Sequence, residues 1–278
     1  MDVKDLAITA TRGRLLALRC VYEAASGHPG GSLSAMDLLT VLYFDVMNID
    51  PARPQDPNRD RFVLSKGHCT PALYSILALR GYFPEDELHK FRHIDAHYSG
   101  HPDMVHVPGV DMSTGSLGQG ISAAVGMALA GKLDGKNYRV YSILGDGEIE
   151  EGQTWEAAMS AAKYDLDNLC AVVDVNGLQI DGKTADVMPS EPLDKKYEAF
   201  GWHVIKCDGH DYASIQAAFA EAKTVKGKPT MILAKTVKGK GVSYMENNAG
   251  WHGKAPSDEQ YETGKTELTQ LLSRLEAE

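Results

Sequence analysis

The sequence predicts an α/β fold, a doubly wound and mostly parallel sheet flanked by helices. Three observations predict it. First, two apolar runs of strand length, Arg139-Val140-Tyr141-Ser142-Ile143-Leu144 and Leu169-Cys170-Ala171-Val172-Val173-Asp174-Val175, bracket a helix-period segment from Glu150 to Tyr164. Second, a strand–helix–strand unit of this kind closes by a right-handed crossover, which makes its strands parallel. Third, the pattern repeats: His203-Val204-Ile205-Lys206 and Thr230-Met231-Ile232-Leu233-Ala234 flank a helical stretch across Tyr212–Thr224. In such sheets ligands bind at the carboxyl ends of the strands.

The remaining elements follow in chain order. Leu6–Ala25 has the composition of a strong helix, and a second helix is expected over Ala35–Val46. Pro51-Ala52-Arg53-Pro54 breaks regular structure, and Phe62-Val63-Leu64 is a short strand candidate. The small-residue run Leu117–Leu133 is expected to be a buried helix, since alanine and glycine permit close packing. On the Glu150–Tyr164 helix, Trp155, Ala158, Met159 and Ala162 form the expected apolar face. Met188–Pro192 is a second break, and Asp258–Glu278 reads as a polar amphipathic helix. No repeat or low-complexity tract interrupts the pattern, so residues 1–278 are read as a single domain.

Composition narrows the function classes. The chain has 278 residues, 43% hydrophobic and 24% charged, as ordinary globular proteins do. The formal net charge of −10 argues against a nucleic-acid or anionic-membrane surface. A phosphorylated ligand is still accessible to such a chain through local cations, helix N-termini or a metal. No apolar run reaches the ~18–20 residues of a membrane helix, and Met1-Asp2-Val3-Lys4-Asp5 does not open a signal peptide, so a cytoplasmic location is expected. Cys20, Cys69, Cys170 and Cys207 are widely spaced and read as reduced thiols.

The chemistry concentrates at Gly145-Asp146-Gly147, which closes one strand, and at Asn176, which closes the next. Adjacent parallel strands place both on one sheet edge. A carboxylate and an amide oxygen are hard ligands suited to Mg²⁺ or Ca²⁺. The glycines let a bulky anion approach the backbone, and the helix beginning near Glu150 offers its N-terminus. Glu148, Glu150 and Glu151 would repel a bare diphosphate, so a bridging metal makes physical sense. Taken alone, a Gly-Asp-Gly tripeptide is ordinary turn chemistry.

The set of motifs is more specific than any one of them. Gly145-Asp146-Gly147 followed by Asn176 resembles the thiamine-diphosphate signature. Ser26-Gly27-His28-Pro29-Gly30-Gly31-Ser32, Ser65-Lys66-Gly67-His68, Gly100-His101-Pro102-Asp103 and Thr114-Gly115-Ser116-Leu117-Gly118-Gln119-Gly120 resemble transketolase motifs and occur in transketolase order. The resemblance implies thiamine diphosphate and Mg²⁺ (or Ca²⁺) as cofactors. Asp146, the Asn176 side chain and the Leu178 carbonyl are then the metal ligands, while Gly147, His68 and His252 contact the diphosphate. Gly115 and Leu117 lie against the aminopyrimidine, and His28, His68, His101 and His252 line the channel where substrate meets cofactor. Glu151 matches an acid at the dimer interface that couples two active sites, and Arg92 matches a substrate-channel arginine, although His93 to Tyr98 depart from the family pattern. Histidine suits proton transfer because its pKa lies near neutrality.

A full transketolase is more than twice this length. It adds a domain that binds the pyrimidine and supplies an activating glutamate, and a third, C-terminal domain. The resemblance therefore implies one subunit of a split transketolase, with those parts on a partner chain and an α2β2 assembly. The activity implied is transfer of a two-carbon ketol unit from a ketose phosphate to an aldose phosphate, as in pentose phosphate metabolism. Branched or sulfonated sugars remain open as donors. Other thiamine-diphosphate subunits, of the deoxyxylulose-phosphate synthase or 2-oxoacid dehydrogenase kind, and a non-catalytic binding module are the alternatives.

Three further features carry simpler readings. Gly177 to Thr184 matches the P-loop pattern Gly-x4-Gly-Lys-Thr, but Pro189 and Pro192 leave no room for the helix that should follow. His89, His93, His97 and His101 recur at helical spacing, but Ser99-Gly100-His101-Pro102 ends any helix, so scattered histidines on a half-exposed helix are expected rather than a zinc site. Lys235, Lys238 and Lys240 lie in a glycine-rich turn and read as solvated, with an anion-binding role at the site mouth as the alternative.

Overall fold

The computed structural model describes residues 1–278. Helix α1 (Val3–Glu23) starts where the Asp2 carboxylate caps the Asp5 amide. Helix α2 (Pro29–Val41) begins earlier than the expected Ala35 and passes into a π-helical turn, Leu42–Val46. Pro29 stands in the first turn, where a missing N–H costs nothing. The two positions behind it are glycine because side chains there would collide with Trp251 and Cys69. Strand β1 (Arg61–Leu64) leads through a short 3-10 turn to α3 (Thr70–Arg80). Helix α4 (Gln119–Leu133), strand β2 (Val140–Gly145), helix α5 (Gly152–Lys163) and strand β3 (Leu169–Val175) form the expected unit. A small antiparallel ribbon of β4 (Leu178–Gln179) and β5 (Gly182–Lys183) follows, then the single turn α6 (Thr184–Val187) and α7 (Leu193–Ala199). Strand β6 (His203–Asp208), helix α8 (Tyr212–Thr224), strand β7 (Thr230–Lys235) and helix α9 (Asp258–Ala277) complete the chain. No helix is long and apolar enough to cross a membrane.

The five long strands form one parallel sheet in the order β1-β2-β3-β7-β6. Side-chain alternation divides its two faces into two cores. Phe62, Leu64, Tyr141, Ile143, Cys170, Val172, Ile205 and Ile232 join α1, α2, α3 and α8. Val63, Val140, Leu144, Leu169, Ala171, Val173, Met231 and Leu233 join α4, α5 and α7. Because the inner strands β2, β3 and β7 are buried on both faces, their sequences are nearly continuous apolar runs, whereas edge strand β6 buries only Ile205.

Two expected helix faces are corrected. Helix α4 is buried on one side only, through Gly120, Ile121, Ala124, Val125, Ala128 and Gly131, while Leu133 is largely exposed. Its uniform small-residue composition hides which side faces the sheet. On α5 the buried face is Thr154, Ala157, Ala158 and Ala161, and Met159 turns outward. Alanines allow the close approach to the sheet that a methionine would prevent.

Beyond β7 the chain folds back over α1 and α2, and Val242, Met245 and Trp251 bury themselves with Leu18, Leu33 and Leu268. Gly239 in this segment has φ +78°, and a Cβ there would run into the Met245 carbonyl oxygen. Gly239→Ala is expected to cost roughly 2–4 kcal/mol, from left-handed strain plus overpacking. Urea unfolding of the purified chain checks it, and a loss below about 1 kcal/mol would show that the turn relaxes freely.

Candidate active site

The carboxyl ends of β1, β2 and β3 converge on a cavity of about 190 Å³. Its lining includes Lys66, His68, Leu117, Asp146, Gly147, Asn176, Leu178, Lys238 and His252. The parallel register brings this about: Gly145 pairs with Asp174, so the residues that follow each strand emerge side by side. Asp146 is 3% exposed, and its carboxylate accepts the Gly147 amide at 3.0 Å and the Gly177 amide at 2.5 Å. The Asn176 side-chain oxygen accepts the Leu178 amide at 3.1 Å. A Cβ on Gly147 would meet Gln179 Cβ at 2.9 Å, so only glycine fits between β2 and the ribbon.

Four histidines from four chain segments meet at the mouth. His28 has ring centroids 5.3 Å from His68, 6.1 Å from His101 and 5.5 Å from His252, and His68 lies 4.9 Å from His252. Gly115, at φ +151°, fits against the His101 ring, 2.9 Å from where a Cβ would lie. Nδ1 of His28 is buried with no partner within the chain. Arg92 adopts φ +61°, donates to Ser26 Oγ at 2.9 Å, and leaves its buried Nε unpaired. It belongs to an adjoining pocket with Ser26 and Ser99. Its charge nevertheless depresses the pKa of His28 and His101, after burial. Glu151 lies outside the cavity, exposed at the amino end of α5 with its Cβ close behind Gly118.

Two lysines, buried to 2% exposure each, set the electrostatics. Lys66 pairs with the buried Asp174 at 2.5 Å, and Asp174 also accepts Ser34 Oγ at 2.6 Å and the Thr236 hydroxyl. Lys238 donates to the Leu178 carbonyl at 3.3 Å and contacts His252 Nδ1 at 2.9 Å. The expectation that it is solvated is therefore corrected: its alkyl chain packs under Gly30 and its ammonium faces the cavity. No local sequence pattern separates it from Lys235 or Lys240, because its burial depends on the fold-back beyond β7. Burial, then Lys66, brings its pKa down to about 8. Lys66 is legible in the sequence only as part of its motif, because its buried partner at the end of β3 lies far away along the chain.

The remaining sequence readings also resolve. The P-loop-like segment is the β4–β5 ribbon followed by one helical turn, so its backbone amides do not form a phosphate-binding loop leading into a long helix. The histidine run does not lie on a half-exposed helix. Glu85–Lys90 is a 3-10 segment followed by turns, with Arg92 in the left-handed region at φ +61° where a helix would have to continue. His97 stacks on His106 with centroids 4.8 Å apart, while His101 turns toward His28.

Burial holds the site histidines neutral: His28 is lowered to about 4, His252 to about 3, and His68 well below its ordinary value. An unfolded histidine takes up a proton near pH 6.5, whereas these do so only at much lower pH. The unfolded state thus binds more protons through that window, and stability is lost as pH falls through it. Asp146 acts the other way: burial, then Asp174, raises it from 3.8 to about 6, so its protonation returns part of the loss. With the four imidazoles of His28, His68, His101 and His252 lowered against the raised carboxyls of Asp146 and Glu148, the thermal midpoint is expected to fall by several degrees between about pH 7 and about pH 5. Circular-dichroism melts across that range check this; a level or rising midpoint would contradict it.

A parallel sheet with acid, amide, lysines and neutral histidines gathered at its strand ends defines a phosphate-cofactor enzyme domain. Residues 5–270 match the family described as transketolase, thiamine diphosphate binding domain, and the chain belongs to the transketolase family. It is 42% identical over 278 residues to an apulose-4-phosphate transketolase subunit from Phocaeicola vulgatus, covering 100% of this chain and 99% of that one. It is 48% identical over 264 residues to a 6-deoxy-6-sulfo-D-fructose transketolase subunit from Clostridium sp. strain MSTE9, covering 95% and 96%. The crystal structure of transketolase from Campylobacter jejuni superposes with a TM-score of 0.91 at 32% identity, covering 99% of this chain and 46% of that one. The chain thus spans less than half the length of that transketolase and nearly the whole of the two subunits. Within the family it is an N-terminal, diphosphate-binding subunit of the split type, a transferase subunit.

Proposed function

We propose that this cavity holds the diphosphate of thiamine diphosphate through a divalent metal, Mg²⁺ or Ca²⁺, and that a partner subunit completes the active site. The observation that carries the reading is the juxtaposition of oxygen donors and cations. Asp146, Asn176 Oδ1 and the Leu178 carbonyl are hard oxygens at neighbouring strand ends, with Lys66 and Lys238 beside them. Such donors suit Mg²⁺, which keeps other positions for phosphate oxygens and water. Gly147, His68, His252 and Lys238 face the diphosphate, and Gly115 and Leu117 face the aminopyrimidine.

The bound cofactor supplies a carbanion for carbon–carbon bond cleavage and formation. The chain's own residues do the rest. Because His252 Nδ1 faces the Lys238 ammonium, this ring accepts there and carries its proton on Nε2. His28, with a free ring nitrogen, His68 and His101 sit where protons must move to and from sugar hydroxyl and carbonyl oxygens. Arg92, in the adjoining pocket with its buried Nε unpaired, is the cation for the anionic end of the sugar. Glu151, exposed at the start of α5, meets a second copy of this chain in an α2β2 assembly, and the activating glutamate comes from the partner.

The transfer proposed is of a two-carbon ketol unit from an anionic ketose to an aldose phosphate. Relatives named for apulose-4-phosphate and for 6-deoxy-6-sulfo-D-fructose extend the donor class beyond ordinary pentose phosphates. The test is co-expression with the C-terminal partner, followed by a screen of ketose phosphates and sulfonated ketoses with thiamine diphosphate and Mg²⁺. Turnover by the pair and none by either chain alone is the expected result. Turnover of pyruvate in place of every ketose would overturn the ketol assignment.

A further inference from the structure

We infer that His210 is a positioning residue that sets Lys238 in the cofactor cavity; this rests on the diphosphate reading of that cavity. His210 lies in the turn between β6 and α8, its side chain 15% exposed. Its Nδ1 is 2.7 Å from Asp37 Oδ2, and its Nε2 is 2.8 Å from the Val237 backbone nitrogen. The Val237 N–H can only donate, so Nε2 accepts and Nδ1 carries the proton that is given to Asp37. The ring thus has one fixed tautomer and two fixed partners.

Both ends of this link are firmly held. Asp37, buried in α2, also takes Arg14 in a two-pronged pair at 2.9 and 2.6 Å and the Tyr212 hydroxyl at 2.6 Å. At the other end, Val237 immediately precedes Lys238. Thr236 N–H goes to the Val175 carbonyl and Gly239 N–H to the Gly30 carbonyl, each a backbone contact. Val237 is the amide in this stretch that a side chain holds. Without it the Val237 N–H is left unpaired, and the Val237–Lys238 backbone keeps only its carbonyl bonds, from Lys240 N–H to Val237 at 3.2 Å and from Asn247 N–H to Lys238 at 2.9 Å, so the strand-side peptide of Lys238 loses its fixed orientation. The lysine side chain passes over Gly30, 3.1–3.2 Å from where a Cβ would lie if glycine were replaced, and a tilt of its backbone moves its ammonium off Leu178 and His252.

Two substitutions separate positioning from bracing. Asparagine places an amide N–H at the Nδ1 position and can keep the Asp37 bond, but does not reach Val237. Glutamine places a carbonyl oxygen near the Nε2 position and can keep the Val237 bond while losing Asp37. The experiment titrates thiamine diphosphate with Mg²⁺ into the complex of this chain with its partner by calorimetry, alongside thermal melting of each variant. His210→Asn is expected to weaken cofactor binding about tenfold with melting close to the parent, and His210→Gln to bind within about threefold while melting lower. Equal binding by His210→Asn and the parent, or weaker binding by His210→Gln than by His210→Asn, overturns the inference. If the unaltered complex binds no cofactor, the diphosphate reading itself falls. Ring ¹⁵N spectra give an independent readout: a protonated Nε2 in the parent chain would contradict the assigned tautomer.

Discussion

Asp146→Asn is expected to stabilise the isolated chain while weakening the cofactor binding proposed for its cavity. The carboxylate is nearly fully buried and close to Asp174, and its pKa stands at about 6 instead of 3.8. At neutral pH the fold therefore bears a cost of up to about 3 kcal/mol for keeping it ionised. An asparagine removes that cost but can accept only one of the two amide bonds from Gly147 and Gly177. The net gain is roughly 1–2 kcal/mol, visible as a higher melting midpoint. If Asp146 holds the metal as proposed, cofactor binding in Mg²⁺ is expected to weaken by more than about 100-fold, because the charged ligand is gone. A variant that is destabilised yet still binds would show Asp146 to be a structural turn residue.

Lys66→Met is the second large expectation, and it points the other way. The Lys66–Asp174 pair is sealed, and removing one partner strands a buried carboxylate. The expected loss is about 3–5 kcal/mol, softened by the Ser34 and Thr236 hydroxyls that still reach Asp174. Adding Asp174→Asn should recover most of that loss. Urea titration of the single and double variants gives the coupling; a mild single mutant with no recovery would mean that water reaches the site.

The sheet is legible because strands buried on both faces are apolar throughout: β2, β3 and β7 lie where their apolar runs do, and the edge strand β6 follows its shorter His203–Lys206 run. Helix orientation is harder to read. Met159 outranks alanine in hydrophobicity, yet alanine faces the sheet on α5, since the distance between layers decides. The start of α2 is hidden by Gly30-Gly31, which reads locally as loop but lies in the helix, with glycine required because Trp251 and Cys69 leave no room for a side chain. At the site, the residues carried by motifs (His28, His68, His101, Asp146, Asn176) do converge. The parts played by Lys238, Asp174 and His210 are not legible, because they arise only when segments far apart in sequence are packed together.

Glu148 ties together the three segments that frame the cavity. Its buried carboxylate accepts Ser65 Oγ at 2.5 Å beyond β1, the Gly118 amide at 3.0 Å at the start of α4, and the Gly145 amide at 3.0 Å at the end of β2. Neither amide can meet solvent without releasing the same acid. In native-state hydrogen exchange, Gly118 and Gly145 should therefore open as a single unit, with one shared free energy and one shared denaturant dependence. Glu148→Gln, which retains a single acceptor oxygen, should split that unit in two. The floor of the cavity would then breathe in pieces that no longer wait for one another.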